Sequence, residues 1–129
     1  MKLFVADADA YLYPDVMVTC DERDRRAELA IEHPRLVVEV LSDSTAAYDR
    51  GIKFAAYRKL ADLREYLLVD VDQRRLELYR RAAGRWILLE SERDGPALRL
   101  ESVVGAGVVA TVTLPRSMEE LAPPAEEAR

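Results

Sequence analysis

Short apolar runs separated by charged stretches organise this chain, and their periods differ. Arg35-Leu-Val-Val-Glu-Val-Leu41 is nearly continuous and rich in β-branched residues, the pattern of a strand buried on both faces. Glu65-Tyr-Leu-Leu-Val-Asp70 reads the same way. Between them Tyr48, Ile52, Ala55, Ala56 and Leu60 recur at helical spacing, which predicts a helix running to Leu60 with those five as its packing face. Ser42-Asp-Ser-Thr45 supplies residue types that cap helix N-termini. Strand, helix, strand implies a right-handed crossover between parallel strands.

The flanks read as strands. Lys2–Ala6 and Tyr11–Thr19 have strand character, with Pro14 near the start of the second, where an edge or bulge tolerates it. Asp21–His33 is a charged loop with room for one helical turn, closed by Pro34. Asp72-Gln73 marks a turn. Leu76–Arg81 alternates apolar and charged residues and pairs with Trp86–Leu89 in a hairpin around Ala83-Gly84. Leu98–Leu100 and Val108–Leu114 are further short strands, and Ser117 caps a last short helix, Met118–Leu121. The expected fold class is α/β, a mixed sheet with one principal helix. Residues 1–121 form one domain, and the Pro/Ala/Glu-rich tail 122–129 is frayed.

Composition narrows the classes. The chain has 129 residues, half of them hydrophobic, enough for a core and unlike a disordered segment. No run of about 18 apolar residues is present, so no helix spans a membrane. The apolar start is broken by Asp7 and Asp9, unlike a signal peptide, and a cytoplasmic setting is expected. One cysteine, Cys20, excludes an internal disulfide and a Cys-rich zinc cluster; one histidine, His33, excludes a multi-histidine metal site. A net charge of −5 argues against a general nucleic-acid binder. However, Thr45–Arg85 holds ten Lys and Arg against six Asp and Glu, a local +4 that leaves −9 elsewhere. That segregation can set a basic face beside an acidic pocket, or it can be an ordinary solvated surface.

One residue breaks the local rule. Glu39 lies inside the apolar run, and burying a lone carboxylate is costly, so it must be paired, protonated or metal-bound. Asp15 is a second carboxylate in apolar context, Tyr-Pro-Asp-Val-Met-Val. Two carboxylates on adjacent strands can converge on one hard divalent cation. The plainer alternatives are an ion pair for Glu39 and a turn or cap role for Asp15. Asp49, Lys53 and Tyr57 line one helical stripe. Lys53 either forms a surface pair with Asp49 or projects its ammonium over the strand end toward a phosphate.

The strings PDVMV, PRLVVEVLSDST, D-x-x-x-K-x-x-x-Y (Asp49–Tyr57) and REYLLVD together closely resemble the Uma-type restriction endonuclease family of the PD-(D/E)xK nuclease superfamily. The resemblance covers about Tyr11–Arg81. It implies a restriction-endonuclease-like fold, with Asp15 and Glu39 as the motif acids that bind Mg²⁺ or Mn²⁺ and the Val40 carbonyl as a further ligand. Leu41 stands where the motif lysine usually sits, and Lys53 would replace it from the helix, completing a catalytic set of Asp15, Glu39 and Lys53. The implied chemistry is metal-assisted hydrolysis of a DNA phosphodiester. Asp49, Tyr57 and Ser42 are candidate supporting residues, each with a plainer reading as helix pair, core tyrosine and helix cap. Arg50, Arg58 and Arg64 are candidate DNA-phosphate contacts or solvated helix arginines.

Members of that family usually carry a longer region before the PD strand, including a helix. Without it, apolar sheet surface is expected to be uncovered, and a homodimer would cover it. Two functions therefore stand side by side: a metal-dependent DNA endonuclease, and a noncatalytic nuclease-fold module that assembles with itself or another protein.

Overall fold

The computed structural model describes residues 2–42, 46–92, 95–105 and 108–112. Its centre is a five-stranded mixed sheet, β3 (Val16–Thr19), β4 (Pro34–Leu41), β5 (Glu65–Asp70), β6 (Arg75–Ala82) and β7 (Arg85–Glu92), in spatial order β3-β4-β5-β6-β7. β4 runs parallel to β5, from Leu36 opposite Glu65 to Leu41 opposite Asp70; the other pairings are antiparallel. Two ribbons flank the sheet: β1 (Leu3–Val5) with β2 (Ala10–Leu12), and β8 (Leu98–Gly105) with β9 (Val108–Val112). The expected mixed sheet is therefore present, and so is the hairpin. Its two-residue loop, Ala83-Gly84, has φ of 50° and 78°, the paired positive values of a type I′ turn.

Alternation along β4 explains why both its faces are buried. Val37 and Leu41 point to one side, where they pack with Phe54, Tyr57, Leu60, Leu63, Tyr66 and Leu68. Leu36 points to the other, with Leu67, Leu76, Leu78 and Leu100 of β8. The helical segment and the β8–β9 ribbon thus cover opposite faces of one sheet. On the helix side Phe54 joins an aromatic cluster, its ring centroid 5.2 Å from Tyr66, 4.5 Å from Tyr79 and 5.4 Å from Trp86. Each such side chain contributes about 1.5–3 kcal/mol through burial.

Two expectations need correction. The strand read from Tyr11 to Thr19 is broken: β2 ends at Leu12 and β3 begins at Val16. Pro14, in the gap, has no N–H to give a ladder. The helix is not one regular element either. It consists of α2 (Ala46–Tyr48), a π-helical turn (Asp49–Lys53) and α3 (Phe54–Tyr57). Tyr48 and Ile52, placed on the packing face, are 44% and 68% exposed, Ala55 is exposed and Ala56 is half-buried, while Asp49, Phe54, Tyr57 and Leu60 are buried. A π turn holds one residue more than an α turn, so a 3.6-residue projection through it drifts off the buried stripe.

The charged loop supplies one helical turn, α1 (Glu22–Arg25), capped by Asp21. The capping run at 43–45, the helix read at Met118–Leu121 and the tail 122–129 lie outside the described residues. No helix among the described residues is long and apolar enough to cross a membrane.

Candidate active site

Asp15 and Glu39 are brought together by strand pairing. Val16 sits opposite Val38, so the residue before Val16 falls beside Glu39. The two are tied reciprocally: Asp15 N–H donates to Glu39 Oε1 at 3.3 Å, and Val40 N–H donates to Asp15 Oδ2 at 2.7 Å. Asp15 is exposed and Glu39 is buried, 2% exposed. One acid therefore faces solvent and the other faces the core beneath the helical segment.

The helical segment completes the site because its π turn directs Asp49 and Lys53 at the sheet. Lys53 Nζ lies 2.5 Å from Glu39 Oε2 and 3.3 Å from Asp49 Oδ1. Tyr57, fully buried, donates its hydroxyl to the same Glu39 oxygen at 2.7 Å. Tyr66 OH donates to the Asp49 carbonyl at 3.0 Å, which pins the turn to β5. The Asp49–Lys53 pair is thus not a surface pair. Tyr57 fills both roles considered for it, core residue and hydrogen-bond donor to the site.

Burial sets the electrostatics. It pushes the Glu39 carboxyl up from its usual range, against the Lys53 and Tyr57 hydrogen bonds that favour the anion. Burial opposes the Lys53 ammonium too, but Glu39 and Asp49 outweigh it, so its pKa rises and the cation is held. The Tyr57 phenol is driven far up, by burial first and then by its bond to Glu39. The result is a partly desolvated carboxylate with a captive ammonium.

Beside it lies a second polar cluster that the sequence pattern did not single out. Across the sheet, Glu39, Leu68 and Glu77 form one register row. Glu77 is buried and takes Arg50 at 2.5 Å and Arg75 at 3.3 Å, while Arg50 also reaches Asp70 at 3.3 Å. Simple alternation on β6 would put Glu77 on the polar side; it is buried because the helical segment covers that side. Of the candidate phosphate contacts, Arg50 is turned inward onto Glu77, Arg58 is exposed over the Phe54 ring at 4.9 Å, and Arg64 is exposed at the opposite end of β5. Ser42 is exposed and borders a cleft of about 260 Å³ with Leu41, Arg50, Asp70, Gln73 and Arg75.

A hard divalent cation fits the donors at Asp15 and Glu39. All are oxygens, Oε1 of Glu39 carries one long bond from Asp15 N and keeps lone-pair capacity, and the Asp15 carboxylate is open to solvent. Among the described residues one His-containing acid group also clusters, Asp21, His33 and Asp62, with ligand atoms within 4.8 Å of one another. Arg23 already lies 2.7 Å from Asp21 and 3.7 Å from Asp62, so those acids have a cation.

The chain has relatives among known proteins. The chain is 42% identical over 104 residues to the uncharacterized protein slr1290 of Synechocystis sp. (strain PCC 6803), covering 80% of this chain and 54% of that protein. It is 41% identical over 93 residues to the uncharacterized protein sll1609 of the same organism, covering 70% and 52%. The chain thus spans about half the length of the curated relatives it matches. A family model matches residues 2–113, which take in β1 through β9 and with them the Asp15–Glu39 pair and the Lys53 turn: the chain belongs to the Uma2 family, whose description is "Putative restriction endonuclease".

Proposed function

We propose that this chain is a metal-dependent DNA endonuclease domain whose site is Asp15, Glu39 and Lys53. The observation that carries the reading is the ammonium of Lys53 lying 2.5 Å from a buried carboxylate that accepts the backbone N–H of Asp15, whose own carboxylate is open to solvent. Asp15, Glu39 and the Val40 carbonyl would hold Mg²⁺ or Mn²⁺, which supplies charge neutralisation on the phosphate and a more acidic water. Lys53 contributes a fixed positive charge where negative charge builds on the phosphate oxygens, a low-reorganisation electrostatic role. Asp49 holds that ammonium and Tyr57 holds the Glu39 carboxylate, so both arrive positioned. Arg58 and Arg64 are exposed and open to a substrate backbone; Arg50 reaches one only by leaving Glu77.

The test is Mg²⁺ and Mn²⁺ binding by calorimetry together with plasmid nicking, for wild type and Glu39→Ala. Metal binding and nicking by wild type, both lost in Glu39→Ala, are expected. Wild type that neither binds metal nor nicks, or a variant that nicks equally, refutes the reading.

One observation favours a second reading, a noncatalytic module that assembles with itself or another protein. Glu39 is already satisfied by Lys53, Tyr57 and Asp15 N–H, as in a structural ion pair. The same assay separates the two, and light scattering that gives a monomer at high concentration removes its homodimeric form.

A further inference from the structure

The helix-facing side of the sheet is organised in rows that the register fixes. One row holds Glu39, Leu68 and Glu77; the row before it holds Val37, Tyr66 and Tyr79. The row before that is all arginine. Leu36 pairs with Glu65 and Glu65 with Arg80, and Arg64 N–H donates to the Arg35 carbonyl while Arg81 N–H donates to the Arg64 carbonyl, both at 2.9 Å. Arg35, Arg64 and Arg81 therefore lie side by side at the sheet end remote from the Asp15–Glu39 pair. Arg35 is four residues from Glu39, about 13 Å along the strand.

These three arginines are not equivalent. Arg81 is structural: it donates to the carbonyls of Arg58, Leu60 and Ala61 beyond the helical segment, and its guanidinium sits 4.7 Å from the Trp86 ring. Its pKa is lowered by burial first and then by the charge of Arg64, with Asp62 opposing. Arg35 and Arg64 are exposed, and among the described residues neither forms an ion pair. The acids nearby are already engaged. In the cleft of about 190 Å³ that Arg35 and Arg64 share with Asp21 and Asp62, Arg23 pairs with both carboxylates and His33 Nδ1 lies 2.9 Å from Asp62. On the other face Glu65 is held by Arg80 and by the Ser102 hydroxyl and N–H. Glu101, in the cleft on that face, pairs with Arg80 as well, so Arg23, Arg35, Arg64, Arg80 and Arg81 stand against Asp21, Asp62, Glu65 and Glu101, one positive charge in excess although the chain carries −5.

We propose that Arg35 and Arg64 form a phosphate-binding row for duplex DNA, separate from the Asp15–Glu39–Lys53 site. Two exposed guanidiniums without acidic partners among the described residues, side by side on β4 and just before β5, suit backbone phosphates, which position a duplex without reading its sequence. The choice of DNA over another polyanion rests on the endonuclease reading; the row itself does not. Its span from Glu39 corresponds to about four base pairs along a duplex axis, so one duplex can meet both.

The test is metal-free binding of a fluorescein-labelled duplex, followed by anisotropy across a salt series, for wild type, Arg35→Ala/Arg64→Ala and Arg35→Lys/Arg64→Lys. Thermal unfolding verifies that each variant is folded. The alanine pair is expected to bind more weakly, with a log–log salt slope shallower by about 2, one unit per lost phosphate contact. The lysine pair is expected to recover most of that slope. An alanine pair with unchanged affinity and slope overturns the proposal, as does wild type that binds no duplex. Duplex binding without nicking supports the row and removes the nuclease reading, so the two fail separately.

Discussion

Replacing Glu65 by glutamine tests how the β8–β9 ribbon is held to the sheet. Glu65 is fully buried on the face away from the helical segment, yet it begins β5 as a carboxylate. Its Oε2 takes Arg80 Nε at 2.9 Å, and its Oε1 takes Glu101 N–H at 3.0 Å, Ser102 N–H at 2.8 Å and the Ser102 hydroxyl at 2.5 Å. Burial pushes its pKa up, but the Ser102, Glu101 and Arg80 bonds together win and hold it below the usual 4.5. Glutamine keeps the shape and one acceptor oxygen, but its amide points donors at donors. An unsatisfied buried donor costs about 1–3 kcal/mol, and breaking a buried charge pair about 3–5 kcal/mol. A loss of about 2–4 kcal/mol is expected, a large share of the ~5–15 kcal/mol of a typical domain.

The pH dependence gives a sharper version. A carboxyl with a depressed folded pKa contributes stability that is fully present above the unfolded value of 4.5 and lost as pH falls through the folded value. Wild type therefore loses the Glu65 contribution on acidification, and Glu65→Gln has none to lose. Guanidinium titrations followed by Trp86 fluorescence at pH 7 and near pH 3 measure both effects. A cost below about 1 kcal/mol at pH 7, with the gap between variant and wild type unchanged in acid, would refute the assigned role of this carboxylate.

Three further outcomes follow from the same geometry. Tyr57→Phe removes the hydroxyl that donates to Glu39 at 2.7 Å from a fully buried position, so chemical denaturation is expected to show a loss of about 1.5–3 kcal/mol; no change would mean Lys53 alone satisfies that oxygen. Glu39→Gln relieves carboxylate burial while leaving Lys53 beside Asp49, so its unfolding free energy is expected within about 1 kcal/mol of wild type while plasmid nicking is lost; a folded variant that still nicks contradicts the site. Gly84→Ala puts a side chain at φ 78° with open space around it, so only backbone strain is paid, about 1 kcal/mol in a thermal melt.

How much of this was legible in the sequence depended on which interaction decided each element. β4, β5 and the β6–β7 hairpin follow from local pattern: β-branched runs and a turn that needs two positive φ values. The break at Pro14 was visible as a residue but not as a break, because a proline at a strand start and a proline between strands look alike. The helix failed at the π turn, where counting by 3.6 selected Tyr48 and Ile52 while the fold buries Asp49 and Tyr57. The buried stripe there is polar, so hydrophobic periodicity could not find it. Glu39 was found because an acid in an apolar run violates a rule. Glu77 was not, since in an alternating strand an acid obeys one, and only the helical segment packed over β6 makes it buried.

That contrast bears on what Glu39 is for. Stability gives no reason to place it there: buried ion pairs are often no better than apolar residues of the same volume, and its carboxyl is pushed toward the neutral form despite Lys53 and Tyr57. Glu77 can be read structurally, as the anchor that gathers Arg50 and Arg75 where the helical segment meets the sheet. Glu39 gathers Lys53 in the same way, but it is also tied to Asp15, which is exposed and needs no neutralising. A structural pair needs no solvent-open carboxylate beside its acid, set in place by backbone hydrogen bonds rather than by charge. A cation-and-phosphate site does, since it needs one acid held rigidly, another meeting solvent, and an ammonium beside the buried one. The Asp15–Glu39 tie, more than the Glu39–Lys53 pair, is what separates the two readings.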